Sequence, residues 1–287
     1  MKKNIFTKKV TTAIIAGALA LSFAGCSADE PTADVNAAEA SAVAEGETVV
    51  LRGIVDLVPH SEIIEHVAPQ LEEQGIHIEL VSTAADATTN ERLASGEIDF
   101  NYFQHLPYLE SENEANGYDL VSAGGIHIEP LALYSKKFKT LADLPNGAKI
   151  AIPNDPTNEG RALLLLASAG LITLSDPNNL EATPIDITAN AKNISFVEVE
   201  AASLPRVLED VDAAVINGNY AIPAGLSAAK DGLVVEGADS PYVNVIAVKA
   251  GNESNPSIVA LVKALQSDKI KKWVAEKYPN GEVVIVF

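Results

Sequence analysis

Residues 149–170 read KIAIPNDPTNEGRALLLLASAG, and this stretch predicts a buried strand that runs directly into a helix. The strand covers residues 149–152, and the apolar residues after Pro156 continue as a helix that Gly170 ends. Asp155 is placed to cap this helix, with Pro156 at its first position. In open α/β sheets, ligands bind beyond the carboxyl ends of strands, where the free N–H groups of a helix start favour an anion.

Arg161 lies about a turn and a half into the same helix. Its planar guanidinium can hold a carboxylate with two hydrogen bonds, and Asn158 can add a neutral contact. The alternative is that Arg161 pairs with a structural acid of the protein. The stretch therefore makes Asn158 and Arg161 candidates for binding a carboxylate, with that alternative open.

Strands and helices alternate on both sides of this stretch. The β-type run 49–55 is followed by a helix over 60–74, and strands at 195–199 and 213–216 enclose a helix at 203–209. Short connections between such elements predict an α/β fold with mostly parallel sheets. The chain crosses near 130–135 and 242–248, which predicts two lobes with two crossing strands as the hinge. Lobe 1 takes residues 48–130 and 242–287, and lobe 2 takes residues 131–241.

Polar and aromatic residues lie at the ends of three other predicted strands. Phe103, His105 and Tyr108 lie close together after a strand at 99–102, a pattern typical of an apolar pocket with polar tips. The adjacent Tyr102 fits the core of the lobe as well as it fits a site. Asn217 follows the strand 213–216, and Asn244 leads into the second crossing strand, although asparagines at such places commonly just satisfy turns.

The first 47 residues predict export and attachment to a membrane. Residues 1–25 combine a lysine-rich head, an apolar core and small residues before Cys26, which is the order of a secretory signal. A cysteine as the first mature residue indicates a lipid anchor. Residues 26–47 are rich in Ala, Glu, Asp, Ser, Pro and Thr, and they predict a flexible tether.

Composition and motifs argue against several classes of function. The chain carries 39 acidic and 20 basic residues, a balance that repels nucleic acid. Cys26 is the only cysteine, so disulfides and thiol chemistry are not expected. No phosphate loop, nucleophile elbow or dinucleotide fingerprint is present, and we expect no catalytic residue and no cofactor. A metal site of His60, Glu62 and His66 is conceivable, but a solvated helix start explains them better, and we expect no metal.

These stretches together resemble the methionine-binding lipoproteins of bacterial ABC importers. The similarity extends from about Val49 to the end of the chain, and it is carried by FQHLPYL (103–109), IHIEPLALYSKK (126–137), IAIPNDPTNEGRALLLLASAGLI (150–172), ASLPRVLEDVDAAVINGNYA (202–221) and DSPYVN (239–244). The resemblance implies a two-lobe periplasmic-binding-protein (venus-flytrap) fold. It also implies a lipid-anchored protein on the extracytoplasmic face of the membrane, which delivers methionine to a permease and its ATPase.

The resemblance implies a role for each matching residue. Arg161, helped by Asn158, is expected to bind the ligand carboxylate, and Asn217 and Asn244 to hold either the α-amino end or the carboxylate. The side-chain pocket is expected to consist of Phe103, His105 and Tyr108.

Two positions depart from the family pattern. Where relatives carry aromatic residues after the second strand, this chain has Thr83 and Asp86. The departure leaves open a different amino acid or a methionine-containing dipeptide as the ligand, since Asp86 could meet an amine. A surface interaction protein that has kept the fold but lost transport is a further alternative.

Overall fold

The computed structural model describes residues 48–81, 85–237 and 240–287. The predicted signal sequence, Cys26, the tether and Thr83 lie outside these residues. The strands are β1 (Val49–Val55), β2 (Ile76–Leu80), β3 (Phe100–Tyr102), β4 (Leu120–Ile128), β5 (Ala132–Tyr134), β6 (Lys149–Pro153), β7 (Thr173–Leu174), β8 (Ile187–Ala189), β9 (Ser195–Val199), β10 (Ala213–Ile216), β11 (Gly232–Val235), β12 (Asn244–Lys249) and β13 (Val284–Ile285). The helices are α1 (Glu62–Glu72), α2 (Thr89–Ser95), α3 (Leu106–Asn116), α4 (Pro156–Ser168), α5 (Leu204–Val207), α6 (Gly218–Ala221), α7 (Ala228–Asp231), α8 (Pro256–Leu265) and α9 (Asp268–Lys277).

Two large sheets form the two lobes of the fold. The first sheet has six strands in the order β13-β4-β12-β3-β1-β2, and the second has five in the order β11-β5-β10-β6-β9. The short strands β7 and β8 pair separately. The chain leaves the first sheet after β4 and enters the second at β5, then returns between β11 and β12. The crossings therefore join the sheets close to where the sequence predicts the hinge.

The prediction of mostly parallel sheets is wrong. In the first sheet β1 pairs in parallel with β2 and β3, but β12 runs antiparallel to both β3 and β4. In the second sheet β5 runs antiparallel to β10 and β11. The antiparallel strands lie next to the crossings, because a chain that returns from the other lobe enters its sheet in the opposite direction.

Helix α1 shows how the apolar pattern becomes the core. Its residues Ile63, Ile64, Val67 and Leu71 are all buried, and with residues of α8 and α9 they pack against the first sheet. Each such side chain contributes about 1.5–3 kcal/mol relative to exposure. In the second lobe α4 packs on the sheet in the same way, through residues that include Leu163 and Leu166.

Two predicted helices differ from the structure. The helix expected over 60–74 is Glu62–Glu72, and it is preceded by a separate turn at Leu57–Ser61, in which Val58 before the proline has an extended backbone (φ −108°, ψ 133°). His60 consequently lies in the turn before the helix, where it is buried. The helix expected over 203–209 is a single turn at Leu204–Val207. Among the helices in the described ranges, none has the length and apolar character needed to cross a membrane.

Candidate functional site

A cavity of about 250 Å³ opens where the helix starts and strand ends of the two lobes meet. The starts of α3 and α4 line it, and these helices follow β3 and β6. The residues after β10 and the first residue of β12 complete the lining. The lining includes all seven residues that the sequence predicts for the site: Phe103, His105, Tyr108, Asn158, Arg161, Asn217 and Asn244.

A chain of hydrogen bonds orients two of the asparagines. Asp155 caps α4, and its Oδ1 accepts from the Asn158 backbone N–H at 3.0 Å and from Asn158 Nδ2 at 2.9 Å. Because an ionised carboxylate only accepts hydrogen bonds, Asn158 must turn its nitrogen toward Asp155 and its oxygen away. That oxygen accepts from Asn217 Nδ2 at 2.7 Å. The order of these contacts fixes the direction of both amides.

The orientation of Asn217 leaves its Oδ1 as a buried acceptor. Asn217 is only 8% exposed, and no partner for this oxygen exists among the described residues. A buried carbonyl without a hydrogen bond costs about 1–3 kcal/mol, so the oxygen is suited to a donor that arrives with a ligand.

His105 is a fixed, neutral donor in the same network. It caps α3, where its Nδ1 accepts from the backbone N–H of Tyr108 at 3.1 Å, so the ring proton lies on Nε2. Nε2 in turn donates to Asn158 Oδ1 at 3.1 Å. Burial, together with the nearby charge of Arg161, lowers the pKa of His105 to about 3. The imidazole therefore stays uncharged at neutral pH.

Arg161 is held from two sides. Its Nε donates to Glu236 Oε1 at 2.9 Å, and its Nη2 donates to the other oxygen of Glu236 and to the backbone carbonyl of Glu129. The ring of Tyr242 covers the guanidinium, with 4.5 Å between the ring centroid and Cζ. The structure thus pairs Arg161 with a protein acid, which was the alternative interpretation, and also places it in the cavity lining. For Nη1 no hydrogen bond is found to any described residue.

Asn244 is bonded to a buried network behind the cavity. Its Oδ1 lies 3.0 Å from His60 Nε2. His60 Nδ1 lies 3.6 Å from Glu129 Oε1, and that same oxygen lies 2.8 Å from His127 Nε2. The phenol of Tyr102 bonds the remaining nitrogen of His127. Tyr102 thus belongs to the core behind the site.

His60, His127 and Glu129 have donor atoms that all lie within 4.8 Å of one another, a spacing at which a metal ion could be held. The 2.8 Å contact between His127 and Glu129 is a direct hydrogen bond, so we interpret the group as a proton-sharing network. The other conceivable metal site is not assembled, because Glu62 bonds Lys277 and Tyr278 while the ring of His66 stacks on Trp273.

The cavity wall beside Asp86 consists mainly of small side chains. Ala85, Asp86 and Ala87 line it on one side, and Ala201 and Ala202 on another. Asp86 Oδ1 accepts hydrogen bonds from the backbone N–H and hydroxyl of Thr88, just before α2. These hydrogen bonds lower the pKa of Asp86, and they give this acid a role in starting the helix.

Hydrogen bonds also connect the two lobes around the cavity. Asn219 Nδ2 donates to Asp56 Oδ2 at 2.6 Å, and His105 donates to Asn158 as described above. Away from the cavity, Ser227 Oγ donates to Glu282 Oε1 at 3.0 Å. The described lobes therefore meet in a closed arrangement.

Several residues of the site are not singled out by the sequence. Glu236 and Asp56 resemble any other acid in a chain that has 39 of them. Glu129 stands two residues after His127, an alternation typical of a strand, and its closeness to His60 depends on the crossing after β4. Asn219 stands two residues from Asn217, so only its position after a buried strand could have indicated it.

Two α/β lobes that close over a cavity lined by polar and aromatic residues define the class of substrate-binding proteins with a two-lobe fold. A family model described as NlpA lipoprotein matches residues 53–287, and the chain belongs to this family. Both the predicted fold and the predicted family are confirmed.

Solved structures and curated relatives agree with this assignment. The crystal structure of lipoprotein Tp32 from Treponema pallidum is 42% identical, with a TM-score of 0.81 over 84% of this chain and 100% of that one. A nutrient binding protein from Burkholderia cenocepacia, solved bound to methionine, is 44% identical, with a TM-score of 0.79 over 83% of this chain and 100% of that one. The probable D-methionine-binding lipoprotein MetQ of Pasteurella multocida is 42% identical over 280 residues, 96% of this chain and 98% of that relative.

Proposed function

We propose that this protein captures methionine between its lobes and delivers it to an ABC permease, without catalysing a reaction. Relatives at 42–44% identity include one named for D-methionine binding and one solved with methionine. The cavity supports the same ligand class, because its lining offers an unpartnered acceptor, an arginine and aromatic rings, which are groups suited to an α-amino acid.

The observation that carries the proposal is the unpartnered Oδ1 of Asn217. It is a buried acceptor whose direction is fixed through Asn158 and Asp155, and an α-ammonium group would supply the missing donor. Arg161 is the cation of the cavity lining that we assign to the ligand carboxylate, through Nη1. Asn244 would add a hydrogen bond from its Nδ2, since its Oδ1 faces His60. In this arrangement Asn158 acts through Asn217.

The ligand side chain would lie against Phe103 and Tyr108, whose rings meet edge to face with centroids 6.1 Å apart. His105 adds a third ring, 6.1 Å from that of Tyr108. An unbranched thioether suits such walls because sulfur makes favourable contacts with aromatic edges.

The remaining sequence predictions complete the proposal. Residues 1–25 would direct export, Cys26 would carry the lipid anchor, and residues 26–47 would hold the domain off the membrane on its extracytoplasmic face. Residues 48–130 and 242–287 would move as lobe 1 against lobe 2 (131–241). The permease, powered by its ATPase subunit, would receive the ligand when the lobes open.

Calorimetric titration tests the ligand. The protein is unfolded and refolded to remove any carried ligand, then titrated with L-methionine, D-methionine, the other amino acids and methionine dipeptides. We expect saturable binding that is selective for methionine. Selective binding of a dipeptide or another amino acid would reassign the substrate, and silence across the panel would favour the surface interaction protein.

A further inference from the structure

The direction of the Asn244 amide depends on its hydrogen bond to His60. A carbonyl oxygen only accepts, so the 3.0 Å contact between Asn244 Oδ1 and His60 Nε2 requires a proton on Nε2. Nδ1 of His60 then faces Glu129 Oε1 at 3.6 Å, and it has no hydrogen-bond partner within the described ranges. Both residues are buried, His60 fully and Glu129 to all but 6%.

A lone pair on Nδ1 opposite an ionised carboxylate is unfavourable in a buried site, and a proton on either of the two groups removes the conflict. The neighbouring His127 does not supply it. Its Nε2–H already bonds Glu129 at 2.8 Å, its other nitrogen bonds Tyr102, and burial lowers its pKa to about 3. The proton must therefore be held by His60 and Glu129 themselves.

Loss of that proton would reverse the direction of the Asn244 amide. The single remaining proton of His60 is best placed on Nδ1, facing the carboxylate, and Nε2 then becomes an acceptor. Asn244 would turn its Nδ2 toward His60 and its Oδ1 toward the cavity, where it would repel a carboxylate.

We propose that His60 is a positioning residue for ligand binding: through a proton held in the buried pair that it forms with Glu129, it fixes the amide of Asn244 as a donor to the ligand carboxylate. The inference rests on the proposed function, since it concerns how the same cavity binds an amino acid. It predicts that affinity depends on the protonation of this pair.

The charges around the pair set the direction of the pH effect. Burial raises the pKa of Glu129 to about 7, and burial lowers the pKa of His60. The titratable and charged groups that face the pair are Asp56, His127, Arg161, Tyr102, Tyr220 and Tyr278. The proton of the pair is present below a pH of about 7 and is lost above it, so affinity for the ligand falls as pH rises.

The first experiment measures methionine affinity by calorimetry from about pH 5.5 to about pH 8.5, on either side of the Glu129 pKa. Wild-type affinity is expected to fall about 10- to 100-fold, the value of one hydrogen bond to a charged group. In Glu129→Gln no carboxylate draws the proton to Nδ1, so the pH profile flattens. His60→Leu binds weakly at every pH, and thermal melting reports whether it is folded.

Glu159→Gln is the matched control. Glu159 is a second buried carboxylate beside the site, and burial raises its pKa to about 7 as well. The methionine affinity of Glu159→Gln should fall with rising pH as steeply as that of the wild type. A Glu129→Gln profile as steep as that of wild type, or a folded His60→Leu with wild-type affinity, would overturn the inference.

The second experiment needs no ligand. Side-chain ¹⁵N spectra of the ligand-free protein, with His60→Leu used for assignment, report which ring nitrogen of His60 carries a proton. We expect a protonated Nε2 at low pH and an acceptor Nε2 at high pH. An acceptor Nε2 at low pH would overturn the inference even if methionine did not bind. Absence of methionine binding by the wild type would count against the proposed function alone.

Discussion

At the residue scale, Asp155 has two separate effects on the site. Its carboxylate caps α4 through the backbone N–H of Asn158, and it also directs the Asn158 side chain, which in turn directs Asn217. Asparagine caps a helix about as well as aspartate, but its side chain offers both a donor and an acceptor. Replacement of Asp155 by asparagine therefore keeps the helix cap but weakens the control of the direction of the Asn158 amide.

We predict that Asp155→Asn changes the free energy of unfolding by less than about 0.5 kcal/mol, because the cap is retained. Methionine affinity should fall about threefold to tenfold, because Asn158 loses the partner of its Nδ2 and only His105 still holds the direction of its amide. Urea unfolding and calorimetry measure the two quantities. Wild-type affinity in a folded Asp155→Asn protein would show that the hydrogen-bonded chain does not orient the site.

The sequence was informative about single residues wherever a strand end marked them. All seven predicted residues lie in the cavity lining, because α/β folds gather the residues that follow buried strands. Their hydrogen-bond partners could not be predicted in the same way. The contact between His60 and Asn244 joins residues 184 positions apart, and the pairing of Arg161 with Glu236 depends on the register of both lobes.

At the scale of elements, helix α4 depends on a close approach that only glycine permits. A Cβ added to Gly160 would lie 2.1 Å from the backbone oxygen of Leu180 and 2.9 Å from the backbone nitrogen of Ala182. Backbone atoms cannot move aside as the end of a flexible side chain can. The loop before β8 is therefore seated directly on the helix.

We predict that Gly160→Ala lowers the free energy of unfolding by about 1–3 kcal/mol through overpacking. Gly237→Ala is the matched control, since a Cβ there would meet no atom of the described residues within 4 Å and the residue does not need a positive φ. The midpoints of urea unfolding compare the two variants. Equal midpoints would contradict the proposed close packing of α4.

Long elements with clear periodicity were predictable, and short ones were not. The apolar spacing placed α1 and α4 correctly to within two residues, and the strands β1, β9 and β10 match their predicted bounds. Helix α6 has only four residues, too few for a helical pattern to show. Strand direction could not be predicted, because alternation of strands and helices does not indicate whether a strand that returns from the other lobe pairs in parallel or antiparallel.

At the scale of the whole molecule, ligand affinity should depend on contacts that join the lobes outside the cavity. Ser227 lies in the lobe of the second sheet, just before α7, and Glu282 lies in the lobe of the first sheet, just before β13. Neither residue lines the cavity. Their hydrogen bond favours the closed arrangement, in which a ligand is enclosed. A protein that opens more easily pays part of its binding free energy to close.

We predict that Ser227→Ala weakens methionine binding about threefold to tenfold, the range of one hydrogen bond of about 0.5–1.5 kcal/mol. Ser168→Ala is the control, because the hydroxyl of Ser168 bonds only within α4, to the carbonyl of Leu165. Calorimetry gives the affinities and small-angle scattering reports the opening of the lobes. Equal methionine affinities of the two variants would show that the bond between Ser227 and Glu282 does not stabilise the closed arrangement.

The central claim is that the cavity holds an amino acid by its carboxylate at Arg161, and calorimetric titration of methionine into Arg161→Ala tests it most directly. Removing one partner of a buried charge pair should cost about 2–5 kcal/mol of binding free energy. Arg206→Ala, which changes an arginine bonded to Ser203 outside the cavity lining, should bind as wild type does. Loss of binding in a cooperatively melting Arg161→Ala protein is the predicted result, and wild-type affinity in that protein would contradict the account.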